Sequence, residues 1–121
     1  MLFRSFISSR LGLFSYKIDN DSIWIHASSI GETKLAIKVY EKLRLKYNNS
    51  LFIITTTTSS SATLIKTLKG NVKHLYLPMD FYLSMLRFIK SINPKICIIL
   101  ETEIWPNLIN ICKKIIFQLL L

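Results

Sequence analysis

Short apolar segments alternate with longer amphipathic ones, and this alternation constrains the fold of the chain more than any other feature. Segments of about six residues rich in Ile, Val, Leu and Thr predict strands. Between them, apolar residues spaced three and four apart predict helices. Strands that alternate with helices are typical of βαβ units, in which parallel strands are covered by helices. We therefore predict an α/β fold with a mostly parallel sheet and flanking helices.

Turn residues and apolar spacing divide the chain into elements. We predict four strands, at 23–27, 51–56, 72–77 and 95–100. Helices are expected at 32–47, 61–68 and 81–92, and another one after Pro106. An apolar tail from Ile115 has the pattern of a further strand. The apolar stripe predicted for the first helix comprises Leu35, Ala36, Val39, Tyr40 and Leu43.

The charge of the chain suggests an anionic partner. Its 121 residues carry a net charge of +9, which favours lipid, a phosphorylated ligand or nucleic acid, although compositional bias explains it equally well. Residues 1–22 form a basic amphipathic segment with three interpretations: an interfacial helix, an organelle presequence, or a helix packed on the domain. Four lysines spaced four apart predict a basic helix face, either solvated or resting on anionic lipid: Lys34, Lys38, Lys42 and Lys46.

Two carboxylates follow the buried strand at 95–100. Glu101 and Glu103 come where that strand ends, and the carboxyl ends of parallel strands are where ligands bind in such sheets. Charged groups there are costly to bury unless they are paired with another group or take part in the function. Two neighbouring carboxylates suit acid–base chemistry. Alternatively, one of them caps the helix that begins near Pro106 and the other is solvated.

A second candidate site lies between the first strand and the first helix. The small residues Ser28, Ser29 and Gly31 would let a ligand approach the backbone N–H groups at a helix N-terminus. Glu32 is a residue type that can accept a proton at neutral pH. Ser29 and Glu32 also have the spacing of a capping box, which is a purely structural role. If the first and fourth strands are neighbours, Glu32 and Glu101 lie on one rim of the sheet.

The remaining polar residues favour structural roles. The Thr and Ser run at 55–61 could bind a sugar or phosphate, but helix capping explains it more simply. We interpret His26 and His74 as structural, and both cysteines, Cys97 and Cys112, as reduced structural thiols. No cluster has metal-ligand spacing, so we predict no metal site and no bound cofactor.

Three segments together resemble one enzyme family, the bacterial 3-deoxy-D-manno-octulosonic acid (Kdo) transferases of lipopolysaccharide synthesis. They are IWIHASSIGE at 23–32, HLYLPMD at 74–80 and LETEIWPNL at 100–108, and their order and separations also match. The stretch RLGLF at 10–14 is similar to a basic-aromatic stretch that precedes the first strand in the family. The resemblance covers nearly the whole chain, and the segment at 100–108 is the most specific part of it.

The resemblance implies a GT-B glycosyltransferase with two Rossmann-like domains facing a cleft. Residues 23–121 look like the N-terminal, acceptor-binding domain. The reaction it implies moves Kdo from CMP-Kdo, a donor substrate, to a lipid A precursor. Glu32 would be the catalytic base and Glu101 the transition-state stabiliser. We expect substrate contacts from four further residues: Ser28, Ser29, Gly31 and Glu103.

The chain also departs from the family. An apolar membrane anchor and a donor-binding domain with its CMP pocket are expected to be absent, and Ser59 to Ser61 replace a Pro-Thr-Gly sequence. We therefore expect a truncated acceptor-binding domain, peripheral to the cytoplasmic face of the bacterial inner membrane. The alternative is a non-catalytic remnant that binds lipid A or anionic membrane. A nucleic-acid module is disfavoured, because the interleaved aromatic residues and basic patch expected of one are lacking.

Overall fold

A computed structural model describes residues 22–78, 80–100, 107, 111 and 118–120. Five strands are present in these ranges: β1 (Ser22–Ala27), β2 (Leu51–Thr56), β3 (Val72–Tyr76), β4 (Pro94–Leu100) and β5 (Gln118–Leu120). Three helices connect the first four strands: α1 (Ile30–Lys46), α2 (Ser59–Lys66) and α3 (Tyr82–Ile92). The strict alternation predicted from the sequence is confirmed.

The strands form one sheet in the order β3-β2-β1-β4-β5, and every pair is parallel. The chain passes outward from β1 through β2 to β3, then returns to the other side of β1 as β4. This reversal creates a topological switch point between β1 and β4, and ligands bind at the carboxyl ends of the strands beside such a point. The predicted α/β fold, with its Rossmann-like parallel sheet, is confirmed.

Helices cover both faces of the sheet, and β1 is buried along its whole length. On one face, Trp24 packs with the buried side chains of α3, and its ring meets that of Phe88 edge-on at 5.6 Å. On the other face, Ile23 and Ile25 pack with Ala36 of α1 and Ile65 of α2 among other residues. Successive residues of a strand point to opposite faces, so a continuous apolar strand fills both cores. Each fully buried aliphatic side chain contributes about 1.5–3 kcal/mol.

The predicted element bounds agree with the structure to within one residue, except in two helices. Helices α1 and α2 begin two residues earlier than predicted, because Ser29 and Thr58 are their N-caps. Helix α2 also ends two residues early, at Lys66. Of the helix predicted after Pro106, only Asn107 and Ile111 are described, and both are helical. The apolar tail does contribute a strand, β5, at Gln118–Leu120.

The prediction is wrong for one residue of the apolar stripe of α1. Leu35 is 49% exposed, whereas Ala36 and Tyr40 are buried as predicted. The third buried residue of α1 is Thr33, three positions before Ala36, and these spacings define the face turned to the sheet. Leu35 lies about 100° around the helix from Ala36 and therefore points away.

The lysine face predicted for α1 is turned to solvent. All four of the predicted lysines, Lys34, Lys38, Lys42 and Lys46, are exposed. Of the predicted segment 1–22, residues 1–21 lie outside the described residues, and Ser22 already belongs to β1. Among the helices of the described residues, none is long and apolar enough to cross a membrane.

Candidate functional site

The turn between β1 and α1 lies at the switch point of the sheet. β1 and β4 are hydrogen-bonded neighbours, and their last residues, Ala27 and Leu100, are Cα partners. The condition on which the sequence placed Glu32 and Glu101 on one rim, that the first and fourth strands are neighbours, is therefore met. Glu101 and Glu103 follow Leu100 in the sequence but lie outside the described residues, so the roles expected of them stay predictions.

Glu32 and Ser29 form a complete capping box. Ser29 Oγ accepts a hydrogen bond from the backbone N–H of Glu32 at 3.1 Å, and Glu32 Oε1 accepts one from the N–H of Ser29 at 3.1 Å. A second backbone donor, the N–H of Ser28, lies 3.2 Å from the same oxygen. The structural interpretation of this pair is confirmed.

The capping bonds use only one oxygen of the Glu32 carboxylate. Both backbone donors are directed at Oε1, and Oε2 makes no hydrogen bond within the described part of the chain. The side chain is only half-buried, so a ligand at the switch point can reach it. The carboxylate is thus oriented by Oε1 and able to accept a proton at Oε2, and the structural and chemical interpretations are compatible.

Gly31 leaves the start of α1 open. A Cβ atom at this position would approach only Ser29 Oγ, at an ordinary contact distance of 4.0 Å, and the backbone does not have a positive φ angle. The fold therefore does not require glycine here. Glycine in fact makes a helix less stable than alanine does, by about 1 kcal/mol. The missing side chain exposes backbone at the helix N-terminus, which agrees with the ligand approach predicted from the small residues.

His26 precedes this turn by two residues and was predicted to be structural, without a part in the site. The side chain is fully buried, its Nδ1 is 2.8 Å from Thr55 Oγ1, and its Nε2 is 3.1 Å from Ser28 Oγ. His26 and Thr55 are Cα partners in β1 and β2. The period of two places His26 on the same face of β1 as Trp24. It does not reveal the partner on β2, because that partner depends on the register of the two strands.

The Thr and Ser run at 55–61 serves mainly internal contacts. Thr55 binds Trp24 and His26, and Thr56 Oγ1 donates to the carbonyl of Thr58 at 3.3 Å. Thr58 Oγ1 in turn accepts from the N–H of Ser61 and caps α2. The capping interpretation of this run is confirmed. Within the described residues, Ser61 Oγ is buried without a hydrogen-bond partner.

His74 supports the same loop from β3. Its Nε2 lies 2.8 Å from Thr56 Oγ1, and its ring meets the ring of Tyr76 edge-on at 4.8 Å. Burial, together with repulsion by the Lys66 ammonium group, lowers the pKa of His74 from 6.5 to about 4. His74 is therefore uncharged at neutral pH, which fits the structural role predicted for it.

Asp80 and Asn107 connect two of the sequence segments that carry the family resemblance. Asn107 donates its backbone N–H to Asp80 Oδ2 at 3.3 Å, and its Nδ2 donates to the Asp80 carbonyl at 2.8 Å. Asp80 lies just before α3, and Asn107 follows β4 by seven residues. The contact therefore fastens the chain that leaves β4 to the loop that follows β3, on the rim that also carries Glu32.

A cavity of about 310 Å³ lies at the opposite edge of the sheet, away from Glu32. It is lined in part by Tyr40, Arg44 and Tyr47, near the C-terminal end of α1. Tyr40 and Arg44 both donate hydrogen bonds to the carbonyl of Lys69, at 2.8 and 3.0 Å, so two polar side chains of the cavity are already engaged.

Among the residues described, no group of three His, Cys, Asp or Glu side chains could hold a metal ion.

A parallel sheet with helices on both faces and a switch point between β1 and β4 defines a Rossmann-like α/β domain, and in such domains ligands bind at the carboxyl edge of the sheet. The family to which this domain belongs follows from sequence comparison, because a model of the 3-deoxy-D-manno-octulosonic-acid transferase (kdotransferase) family matches residues 6–121. The chain is a member of this family of glycosyltransferases, and the resemblance seen in the sequence is confirmed.

Individual relatives support the assignment. The chain is 42% identical over 89 residues to a 3-deoxy-D-manno-octulosonic acid transferase of Haemophilus influenzae, covering 73% of this chain and 21% of the relative. It is 31% identical over 110 residues to the transferase of Rickettsia bellii, covering 89% and 26%. A probable mitochondrial transferase of Arabidopsis thaliana is 37% identical over 98 residues, covering 80% and 22%. The chain thus spans about a quarter or less of the length of these curated relatives.

Proposed function

We propose that this chain is the acceptor-binding part of a glycosyltransferase that moves Kdo from CMP-Kdo to a lipid A precursor in lipopolysaccharide core biosynthesis. The proposed place of action is the cytoplasmic face of the bacterial inner membrane. Family membership supports the class of reaction. The observation that carries the proposal is the Glu32 carboxylate at the switch point, with Oε1 bound to two backbone N–H groups and Oε2 without a hydrogen bond among the described residues.

In this proposal Glu32 is the general base. Its Oε2 takes the proton of an acceptor hydroxyl while that oxygen forms a bond to the anomeric carbon of Kdo, and the bond from this carbon to CMP breaks with its electron pair leaving on the phosphate. Bonds from Ser28 and Ser29 to Oε1 fix the direction of Oε2, so little orientational freedom is lost at the moment of transfer. The acceptor approaches over Ser28, Ser29 and Gly31, where side chains are small.

Glu101 and Glu103 are proposed to complete the site from β4. Transfer of a sugar develops positive charge on the ring, and a carboxylate beside the ring stabilises that charge. Glu101 is assigned this role and Glu103 a substrate contact. The pairing of Ala27 with Leu100 supports the assignment, because it brings the end of β4 level with the end of β1.

The experiment has a binding arm and a transfer arm. In the first, the 121-residue chain is titrated with a lipid A precursor in detergent micelles, and Gly31→Trp, which fills the proposed approach, serves as the matched control. In the second, transfer from CMP-Kdo is measured with the chain as it stands and with the chain joined to the C-terminal part of the Haemophilus influenzae relative.

The outcomes separate the two interpretations of the chain. The proposed function is supported if the joined protein transfers Kdo and its Glu32→Gln variant does not. Binding of the precursor without transfer in either form supports the alternative, a domain that binds lipid A without turnover. Binding that is equally strong in Gly31→Trp would contradict the proposed acceptor site.

A further inference from the structure

A chain of hydrogen bonds runs from the core of the sheet to the site. The indole Nε1 of Trp24 donates to Thr55 Oγ1 at 2.8 Å, and Thr55 Oγ1 lies 2.8 Å from Nδ1 of His26. On the other side of the ring, Nε2 of His26 lies 3.1 Å from Ser28 Oγ. Trp24, His26 and Thr55 have no exposed surface, so these bonds are shielded from water. Such buried polar groups form strong and well-oriented contacts when all are satisfied.

The direction of these bonds follows from the chemistry of their ends. An indole N–H can only donate, so Thr55 Oγ1 accepts from Trp24. The hydroxyl proton of Thr55 is buried and needs an acceptor, and within the described residues the only acceptor it contacts is Nδ1 of His26. His26 then carries its proton on Nε2 and donates it to Ser28 Oγ. The core of the sheet therefore fixes the ring of His26 and its tautomer.

Ser28 links the oriented ring of His26 to the Glu32 carboxylate. Its backbone N–H is the second donor to Glu32 Oε1, at 3.2 Å, in addition to the N–H of Ser29. The Ser29 bond belongs to the capping box and depends only on local helix geometry. The Ser28 bond lies outside that box and depends on where the end of β1 places the Ser28 backbone, which His26 holds through Oγ.

We infer that His26 is a positioning residue for the base: through Ser28 it directs a second N–H to Glu32 and so fixes the direction of Oε2. This inference rests on the proposed function of Glu32. His26 touches neither substrate nor the transferred proton, and its effect is expected in the rate of transfer rather than in acceptor binding. A histidine with a purely structural role would affect stability alone.

Two substitutions of His26 separate its two contacts. In His26→Gln, the amide nitrogen lies near the place of Nε2 and still donates to Ser28. In His26→Asn, the shorter amide reaches only the place of Nδ1, so the bond to Thr55 is kept and the bond to Ser28 is lost.

Amide hydrogen exchange of Ser28 and Ser29, measured by NMR on the 121-residue chain, reports the contact between His26 and Ser28 without any transfer reaction. In His26→Asn, we expect the Ser28 amide to exchange about tenfold faster or more, with Ser29 as the unchanged internal reference.

The same variants in the joined protein give the kinetic readout. We expect kcat to fall about tenfold or more in His26→Asn and far less in His26→Gln, with KM for the acceptor changed less than about twofold in both. If His26→Asn fails to fold, Thr55→Val releases the ring from the other side, and Thr55→Ser, which keeps the hydroxyl, should restore both readouts.

Each result decides the inference. Unchanged Ser28 exchange in His26→Asn overturns it, and so does a kcat that falls equally in the Gln and Asn proteins in proportion to their stability. If the unsubstituted joined protein transfers no Kdo, the proposed function fails. The exchange of Ser28 then decides by itself whether His26 positions this turn.

Discussion

Ser29 and Glu32 exchange hydrogen bonds between side chain and backbone in both directions, each at 3.1 Å. This reciprocal contact begins α1 and also orients a carboxylate at the switch point of the sheet. A structural role and a catalytic role therefore fall on the same side chain. Substitutions that keep the hydrogen-bonding shape but change the charge can separate the two.

The first prediction concerns Glu32. Glutamine is also accepted at the third position of a capping box, so Glu32→Gln should change the free energy of unfolding by less than about 0.5 kcal/mol. Glu32→Ala loses the bonds to Ser28 and Ser29 and should cost about 1 kcal/mol. Urea unfolding of the 121-residue chain measures both values.

The activity of the same variants should follow a different order. Removal of a general base lowers the rate by about 100- to 10,000-fold, so kcat of the joined protein should fall by this factor in both Glu32→Gln and Glu32→Ala. Thr58→Ala is the control, because it removes the corresponding N-cap of α2, at a cost of about 1 kcal/mol, and leaves Ser29 and Glu32 unchanged. A Glu32→Gln protein with more than a tenth of the parental kcat would exclude Glu32 as the base.

The second prediction is that Gly31→Ala stabilises the fold and impairs the function. Alanine removes a helical glycine, and its Cβ would meet no atom closer than Ser29 Oγ at 4.0 Å. The free energy of unfolding should therefore rise by about 0.5–1 kcal/mol. If the acceptor approaches the backbone here, its KM should rise about tenfold, which corresponds to about 1.4 kcal/mol of lost binding.

Ser60 provides the matched control for this variant. It occupies the second position of α2, as Gly31 does in α1, and it is also exposed. Ser60→Ala should leave the acceptor KM unchanged. Equal KM values for the Gly31→Ala and parental proteins would show that the acceptor does not contact this turn.

The sequence predicted the order and type of the elements well, because the apolar period of each segment is a local property. The bounds of β2 matched, and those of α1 missed by two residues because the cap at Ser29 decides where the helix begins. Leu35 was placed in the core because apolar character alone does not fix the phase of a helix. Thr33, a polar residue, takes an inward position instead.

The site was only partly predictable, because some of its contacts join distant parts of the chain. Residues 28–32 were found because capping and small-residue patterns are local. The bond from His26 to Thr55 joins residues 29 positions apart, and the one from Asn107 to Asp80 joins residues 27 apart. Such contacts depend on strand order and register, which spacing along the chain does not reveal.

The third prediction concerns the link between Asp80 and Asn107. Asn107→Ala removes the bond from Nδ2 to the Asp80 carbonyl, and Asp80→Ala removes the acceptor of the Asn107 N–H. Each should cost about 1 kcal/mol in unfolding. Since the link anchors the chain seven residues beyond β4, on the rim of the site, each should also lower kcat of the joined protein by about tenfold.

Asn71 is the control for this prediction. Its Nδ2 donates to the carbonyl of Ser50 at 3.1 Å, the same kind of bond at the opposite edge of the sheet. Asn71→Ala should destabilise the chain to a similar degree without lowering kcat. A fall of kcat in Asn71→Ala as large as that in Asn107→Ala would mean that general loss of stability, rather than the local link, is responsible.

The last prediction is that His74 makes the fold sensitive to acid. Its pKa is about 4 in the folded chain and near 6.5 when unfolded. Between these values the unfolded chain binds a proton that the folded chain does not, so unfolding becomes easier as the pH falls. The stability associated with an uncharged His74 is fully present above about pH 6.5 and decreases from there down to about pH 4. The total change is at most about 3.5 kcal/mol, since the two pKa values are about 2.5 pH units apart and each pH unit is worth about 1.4 kcal/mol.

Urea unfolding at a series of pH values from 7.5 to 4.5 tests this, with His74→Gln as the matched protein. Glutamine keeps an amide group near Nε2 for Thr56 and does not titrate. Relative to the parental chain, His74→Gln should be no more stable at pH 7.5 and should gain relative stability steadily below pH 6.5. Parallel stability curves for the two proteins would mean that His74 accepts a proton in the folded state as readily as in the unfolded one. Its burial against Thr56 and Tyr76 would then not explain the acid sensitivity of the chain.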